Sequence, residues 1–201
     1  MPRKAVILDR DGTLIDFHRD AELGAVVSAF HPAQIRLLPG VIEGLAALAE
    51  QGFVLAIATN QPGAAKGQIP WSAIERTNHT LVDMLAGHGI SIAAVAVCGH
   101  HPEGGPGGDP ALIRACDCRK PAPGLLLQLA EQLDLDLPSS IVIGDTEADL
   151  LAAQRAGARA ALLRDDRRCE LCPGKALPIA LIPRPAAIAP RLDLLVRALF
   201  A

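Results

Sequence analysis

Ala5-Val6-Ile7-Leu8-Asp9-Arg10-Asp11-Gly12-Thr13 opens the chain with four apolar residues that run into two aspartates. The apolar run reads as a short buried strand, and Gly12 lets the backbone turn sharply after it. In an open parallel sheet, ligands bind beyond the carboxyl ends of the strands. Two carboxylates two residues apart at such an end can face one site. One can then ligate a metal and act as a nucleophile while the other handles a proton. Taken alone, the same residues also describe a solvated acidic turn.

Outward from this stretch, apolar runs alternate with amphipathic segments. Strands are predicted at 5–8, 53–58, 93–97, 141–143 and 160–163, and helices at 41–51, 72–87, 123–133, 147–156 and 190–200. The alternation predicts an α/β fold, a three-layer Rossmann-like parallel sheet with helices on both faces. Ser72 with Glu75 has the spacing of a capping box for the second helix, and Pro190 is placed to open the last. Thr146 with Asp149 is a further capping pair. Three stretches lack a period: 17–38, the glycine- and proline-rich 99–115, and 164–189, where at most one short strand is expected. No repeat or composition shift divides the chain, so 1–201 reads as a single domain.

Of 201 residues, 50% are hydrophobic, enough for a sizeable core. A net charge of -3 offers no field for nucleic acid or anionic membrane, and with 2% aromatic residues and no tyrosine there is no stacking platform for single strands. No apolar run reaches spanning length and the first residues lack a secretory pattern. A cytoplasmic monomer acting on a small molecule is expected, without nucleic-acid or membrane partners. Cysteines at 98, 116, 118, 169 and 172 are odd in number, which favours metal ligation over a disulfide framework.

Chemistry-bearing residues recur where strands end. The second predicted strand runs into Thr59-Asn60-Gln61-Pro62-Gly63, where a hydroxyl and backbone N–H groups can bind phosphate oxygens. Arg119-Lys120-Pro121 precedes a helix, and both cations would have to point inward to neutralise a phosphate. The strand at 141–143 ends in Gly144-Asp145-Thr146-Glu147-Ala148-Asp149, which places a hard oxygen ligand for Mg²⁺ at Asp145 and leaves Asp149 for capping or support. Cys98-Gly99-His100 and Cys116-Asp117-Cys118 supply four ligands of the kind tetrahedral zinc prefers, closing the loop 98–118 as a structural site. His101 is an alternative ligand to His100. Cys169 and Cys172 read as surface thiols.

The ordered set resembles the haloacid dehalogenase superfamily of phosphatases over residues 4–160. Cys98-Gly99-His100-His101-Pro102-Glu103-Gly104 with Cys116-Asp117-Cys118-Arg119-Lys120-Pro121 resembles its D-glycero-D-manno-heptose 1,7-bisphosphate phosphatase group, related to the histidinol-phosphate phosphatases but with a longer zinc loop. The resemblance implies Asp9 as nucleophile and Asp11 as acid and base. It implies Mg²⁺ on Asp9, the Asp11 carbonyl and Asp145, with Thr59 and Lys120 on the phosphoryl oxygens. Asn60, Gln61, Arg119, Phe17 and Asp20 would meet a small sugar-phosphate substrate. Neither 17–38 nor 61–119 leaves room for a cap, so a capless site is expected. Histidinol phosphate or another small phosphomonoester is the alternative substrate, and a catalytically dead zinc-stabilised binding module the alternative of another class. The group's usual segment is not recognisable in 18–33, and Thr146 stands where a substrate-facing lysine is common in it. These departures concern the substrate rather than the reaction.

Overall fold

The computed structural model describes residues 2–20, 25–165 and 183–201. In chain order the elements are β1 (Ala5–Leu8), β2 (His18–Asp20), β3 (Ala25–Val27), α1 (Val41–Glu50), β4 (Val54–Asn60), α2 (Trp71–Gly87), β5 (Ala94–Cys98), α3 (Gly124–Leu133), β6 (Ile141–Gly144), α4 (Glu147–Ala156), β7 (Arg159–Leu163) and β8 (Ile188–Ala189). A last helix, α5, spans Leu192–Phe200. Six strands form one parallel sheet in the order β5-β4-β1-β6-β7-β8. From β1 the chain builds outward through β4 to β5, then returns to the other side of β1 for β6, β7 and β8. The strand order therefore reverses beside β1, where such sheets form their ligand crevice.

β1 shows why there are three layers. Its side chains alternate between faces, and both faces are buried. Val6 and Leu8 join Leu45 and Leu48 of α1, Leu81 and Leu85 of α2, and Leu195 of α5. Ala5 and Ile7 join Leu125 and Leu129 of α3 with Ala152 and Ala153 of α4 on the other face. Among the described residues no helix is long and apolar enough to cross a membrane.

Several local expectations are corrected. α2 begins at Trp71 after Pro70, so Ser72 lies inside the first turn and cannot cap it. Glu75 instead accepts from the Trp71 indole at 2.9 Å. α5 is capped at Arg191, because the pairing of Ala189 with Leu163 extends the sheet almost to Pro190. The stretch 17–38 contains an antiparallel ribbon of β2 and β3, too short for its period to show in sequence, followed by a 3-10 turn over Pro32–Gln34. β4 runs two residues past its predicted end and takes in Thr59 and Asn60. Cys169 and Cys172 lie outside the described residues.

Candidate active site

Asp9 follows β1, Thr59 and Asn60 end β4, and Asp145 follows β6, so three neighbouring strands deliver their polar ends to one place. The Asp9 amide donates to the Ile143 carbonyl at 2.9 Å, which locks the two acidic strand ends together. Carboxylate oxygens of Asp9, Asp145 and Asp149 lie within 4.8 Å of one another. Gly12 has φ of +83°, and a Cβ there would collide with the Asp145 carboxylate and press on the Phe17 ring. The turn after β1 thus needs a residue without a side chain. Phe17 stands at the edge of this cluster. Asp20 closes β2, its backbone paired with Ala25.

Lys120 is buried, and its ammonium has three acceptors: Asp9 Oδ1 at 2.9 Å, Asp149 Oδ1 at 2.6 Å and the Ala58 carbonyl at 2.7 Å. These use all its donors. Burial alone would lower the Lys120 pKa, but the charges of Asp149 and Asp9 outweigh it and raise the group above its usual range. For Asp149 burial works upward, yet Lys120 and two bonds from Thr146 outweigh it and hold the carboxyl below normal. Thr146 and Asp149 form the capping box of α4, with the Thr146 amide 3.1 Å from Asp149 Oδ2. Asp149 therefore ties Lys120 to a helix N-terminus. Asp9 is different: burial raises its pKa, and the attraction of Lys120 does not fully offset that and the repulsion of Asp149 and Asp11.

Asp11 has its own cation, which the sequence reading passed over. Arg10 is 1% exposed, and its guanidinium forks onto Asp11 through Nε to Oδ2 at 3.1 Å and Nη2 to Oδ1 at 3.2 Å. Nη1 donates to Asn78 Oδ1 at 2.7 Å. The Gln61 amide donates to Asp11 Oδ2 at 2.6 Å and to Thr59 Oγ1 at 2.9 Å, placing Thr59 in the same network. Asn60 pairs reciprocally with the backbone of Lys120, at 3.0 Å to its carbonyl and 3.1 Å from its amide. The side chains of Asn60 and Gln61 thus have partners inside the protein. A charge between two aspartates was the available sequence signal for Arg10; nothing local marked Asn78.

Cys98, His100, Cys116 and Cys118 converge at the end of β5. Their sulfurs are 2.9, 3.4 and 3.6 Å apart, and His100 Nδ1 is 3.2 Å from Cys118. A disulfide bond is about 2.05 Å, whereas a tetrahedron of about 2.3 Å zinc–sulfur bonds has edges of roughly 3.8 Å. The donor set fits zinc, and the two longer sulfur separations approach that edge. His101 turns away, and its Nδ1 accepts from the amides of Glu103 and Gly104. Arg119 diverges from Lys120: its Nη1 donates to the His100 carbonyl at 3.4 Å, on the loop of the four candidate ligands. The glycines of that loop allow backbone contact with the turn after β4, where a Cβ on Gly108 would overlap the Ala65 carbonyl.

Residues 117–193 match the HAD-hydrolase-like family model. A Pseudomonas putida protein named D-glycero-beta-D-manno-heptose-1,7-bisphosphate 7-phosphatase is 34% identical over 161 residues, 80% of this chain and 82% of that one. The chain belongs to the HAD-like phosphatases. A Pseudomonas aeruginosa protein of the same name is 32% identical to this phosphatase over 178 residues, 89% of this chain and 90% of the relative. Among solved structures, the D,D-heptose 1,7-bisphosphate phosphatase from B. bronchiseptica, complexed with magnesium and phosphate, superposes with a TM-score of 0.73. It is 26% identical and aligns over 98% of this phosphatase and 97% of that chain. Three clustered carboxylates and a side-chain-free turn beside Asp145 suit a small hard cation such as Mg²⁺.

Proposed function

We propose that this phosphatase removes the 7-phosphate of D-glycero-β-D-manno-heptose 1,7-bisphosphate by way of a phosphoryl group on Asp9. The observation carrying this reading is the ion pair of Asp9 with buried Lys120 at 2.9 Å beside two further carboxylates, in a chain whose relatives bear that enzyme's name. An Asp9 oxygen attacks phosphorus, the bond to the sugar oxygen breaks, and Asp11 gives its proton to the departing alkoxide. Asp11 then takes a proton from water as that oxygen attacks the phosphoryl group. The bond to Asp9 breaks, and inorganic phosphate leaves. Lys120 and Thr59 bind the equatorial oxygens, the phosphate replacing one present acceptor of the ammonium. Asp9, Asp145 and the Asp11 carbonyl would hold magnesium, whose positive charge would screen the nucleophile from the phosphate.

Phe17 and Arg119 line the sugar side of this single-domain site, Arg119 exchanging the His100 carbonyl for the retained phosphate, while Asn60 and Gln61 support Lys120, Asp11 and Thr59 from within. Zinc on Cys98, His100, Cys116 and Cys118 orders the loop ahead of Arg119 and Lys120. Free thiols at the ligand positions suit a reducing cytoplasm. The test is phosphorus NMR of turnover with magnesium, comparing both anomers of the heptose bisphosphate with histidinol phosphate. The β-anomer should give the highest kcat/KM and retain its 1-phosphate. Loss of the 1-phosphate, or a higher kcat/KM for histidinol phosphate, would overturn the assignment.

A further inference from the structure

We propose that Arg10 is a positioning residue for Asp11, and that Asn78 of α2 fixes Arg10 in turn. The inference rests on the acid–base role given to Asp11 above. Removing a guanidinium from water is costly unless it is fully paired, yet Arg10 is among the largest fully buried side chains of the protein. Its fork covers both oxygens of Asp11, and Gln61 adds a third donor. Nη1 is held by Asn78, and Nη2 reaches the Ala29 carbonyl at 3.3 Å. The donors on Asp11 thus come from β1's own turn and from the end of β4, while their anchors lie on α2 and the segment after β3.

Two buried cations divide the two aspartates between them, Lys120 for Asp9 and Arg10 for Asp11. Without Arg10, Asp11 Oδ1 loses its donor, and the carboxylate, held by Gln61 on Oδ2, is left able to turn away from the leaving oxygen. An acid must stand within hydrogen-bond reach of the atom it protonates, and a displacement of about 1 Å can cost on the order of a hundredfold. Lys120 would keep Asp9 in place. The proton step should therefore suffer while attack by Asp9 does not.

Leaving groups separate these effects. A sugar alkoxide needs Asp11's proton, whereas 4-nitrophenolate departs without one. In single turnovers of the magnesium-loaded enzyme, Arg10→Met should slow transfer from the heptose bisphosphate by roughly a hundredfold, with KM little changed. Transfer from 4-nitrophenyl phosphate should change less than about threefold, since only its proton-independent step is observed. Asn78→Leu should give a smaller loss with the same asymmetry, and Asn78→Asp, which keeps an acceptor for Nη1, should restore the rate. Equal slowing with both substrates would mark Arg10 as merely structural, and no slowing would mark it as idle; either overturns the proposal. Should Arg10→Met fail to fold, the Asn78 pair decides by the same criterion. Failure of the underlying mechanism looks different: the unaltered enzyme would show no phosphorylated Asp9 with either substrate.

Discussion

Asp9 lies among Lys120, Asp149 and Asp11, where burial raises its pKa and Lys120 works against that rise. A carboxyl whose folded pKa lies above its unfolded value loses stabilisation as pH climbs through that interval. Once pH has climbed past that interval, Asp9 as an anion costs the folded protein stability. Asp9→Asn should abolish turnover, because an amide is a poor nucleophile, and should raise Tm at neutral pH with magnesium omitted. Lys120 keeps Asp149 and the Ala58 carbonyl, so its own burial stays compensated. Added magnesium should shrink the Tm difference by binding the unaltered site more tightly. Calorimetry checks both parts, and a lower Tm for Asp9→Asn would mean that its attraction to Lys120 outweighs burial. Such a trade of stability for function is common where charges are gathered for chemistry.

The loop that carries the four candidate zinc ligands has little core of its own. Ordering its backbone costs roughly 1–2 kcal/mol per residue, against about 10–16 kcal/mol of zinc binding in favourable peptides. Its glycines sit on the turn after β4, and Cys118 is bonded to Arg119, so its order passes to both sides of the site. Trp71, the only tryptophan in a chain without tyrosine, packs on Gly99 between two of the four ligands. The purified protein should hold about one zinc per chain, as the closed four-ligand set requires. Cys118→Ser should lower that content, shift the Trp71 emission and reduce kcat even with magnesium in excess. Metal analysis and fluorescence check this. Full activity in protein free of zinc would show that the loop is held by its backbone contacts alone.

The two faces of the sheet carry separate cores, and only one is continuous with the loop of the four candidate ligands. Cys98 is buried within the face packed by Leu125 and Leu129, and Cys116 and Cys118 pack against it. Leu45 belongs to the opposite face. Leu129→Ala and Leu45→Ala should each cost roughly 2–5 kcal/mol, lowering Tm by about 2–4 °C per kcal/mol. Zinc retention should weaken in Leu129→Ala alone, measured by release to a competing chelator. The sequence by itself determined the parallel α/β sheet, because β1, β4 and β6 are apolar runs whose polar ends lie at fixed covalent offsets. It likewise determined which aspartates stand at those ends, and the grouping of Cys98, His100, Cys116 and Cys118, whose spacing is a local property. The ribbon of β2 and β3 was not legible, since such short strands carry too little period, and the two residues of β8 were legible only as one short strand somewhere in 164–189. Only the tertiary structure decided that Arg10 folds inward onto Asp11, that Gln61 joins it, and that Asn60 clasps the backbone of Lys120. Those partners lie up to 60 residues apart along the chain. Their meeting depends on how strands and helices pack, and a buried polar group takes whichever partner that packing brings within reach.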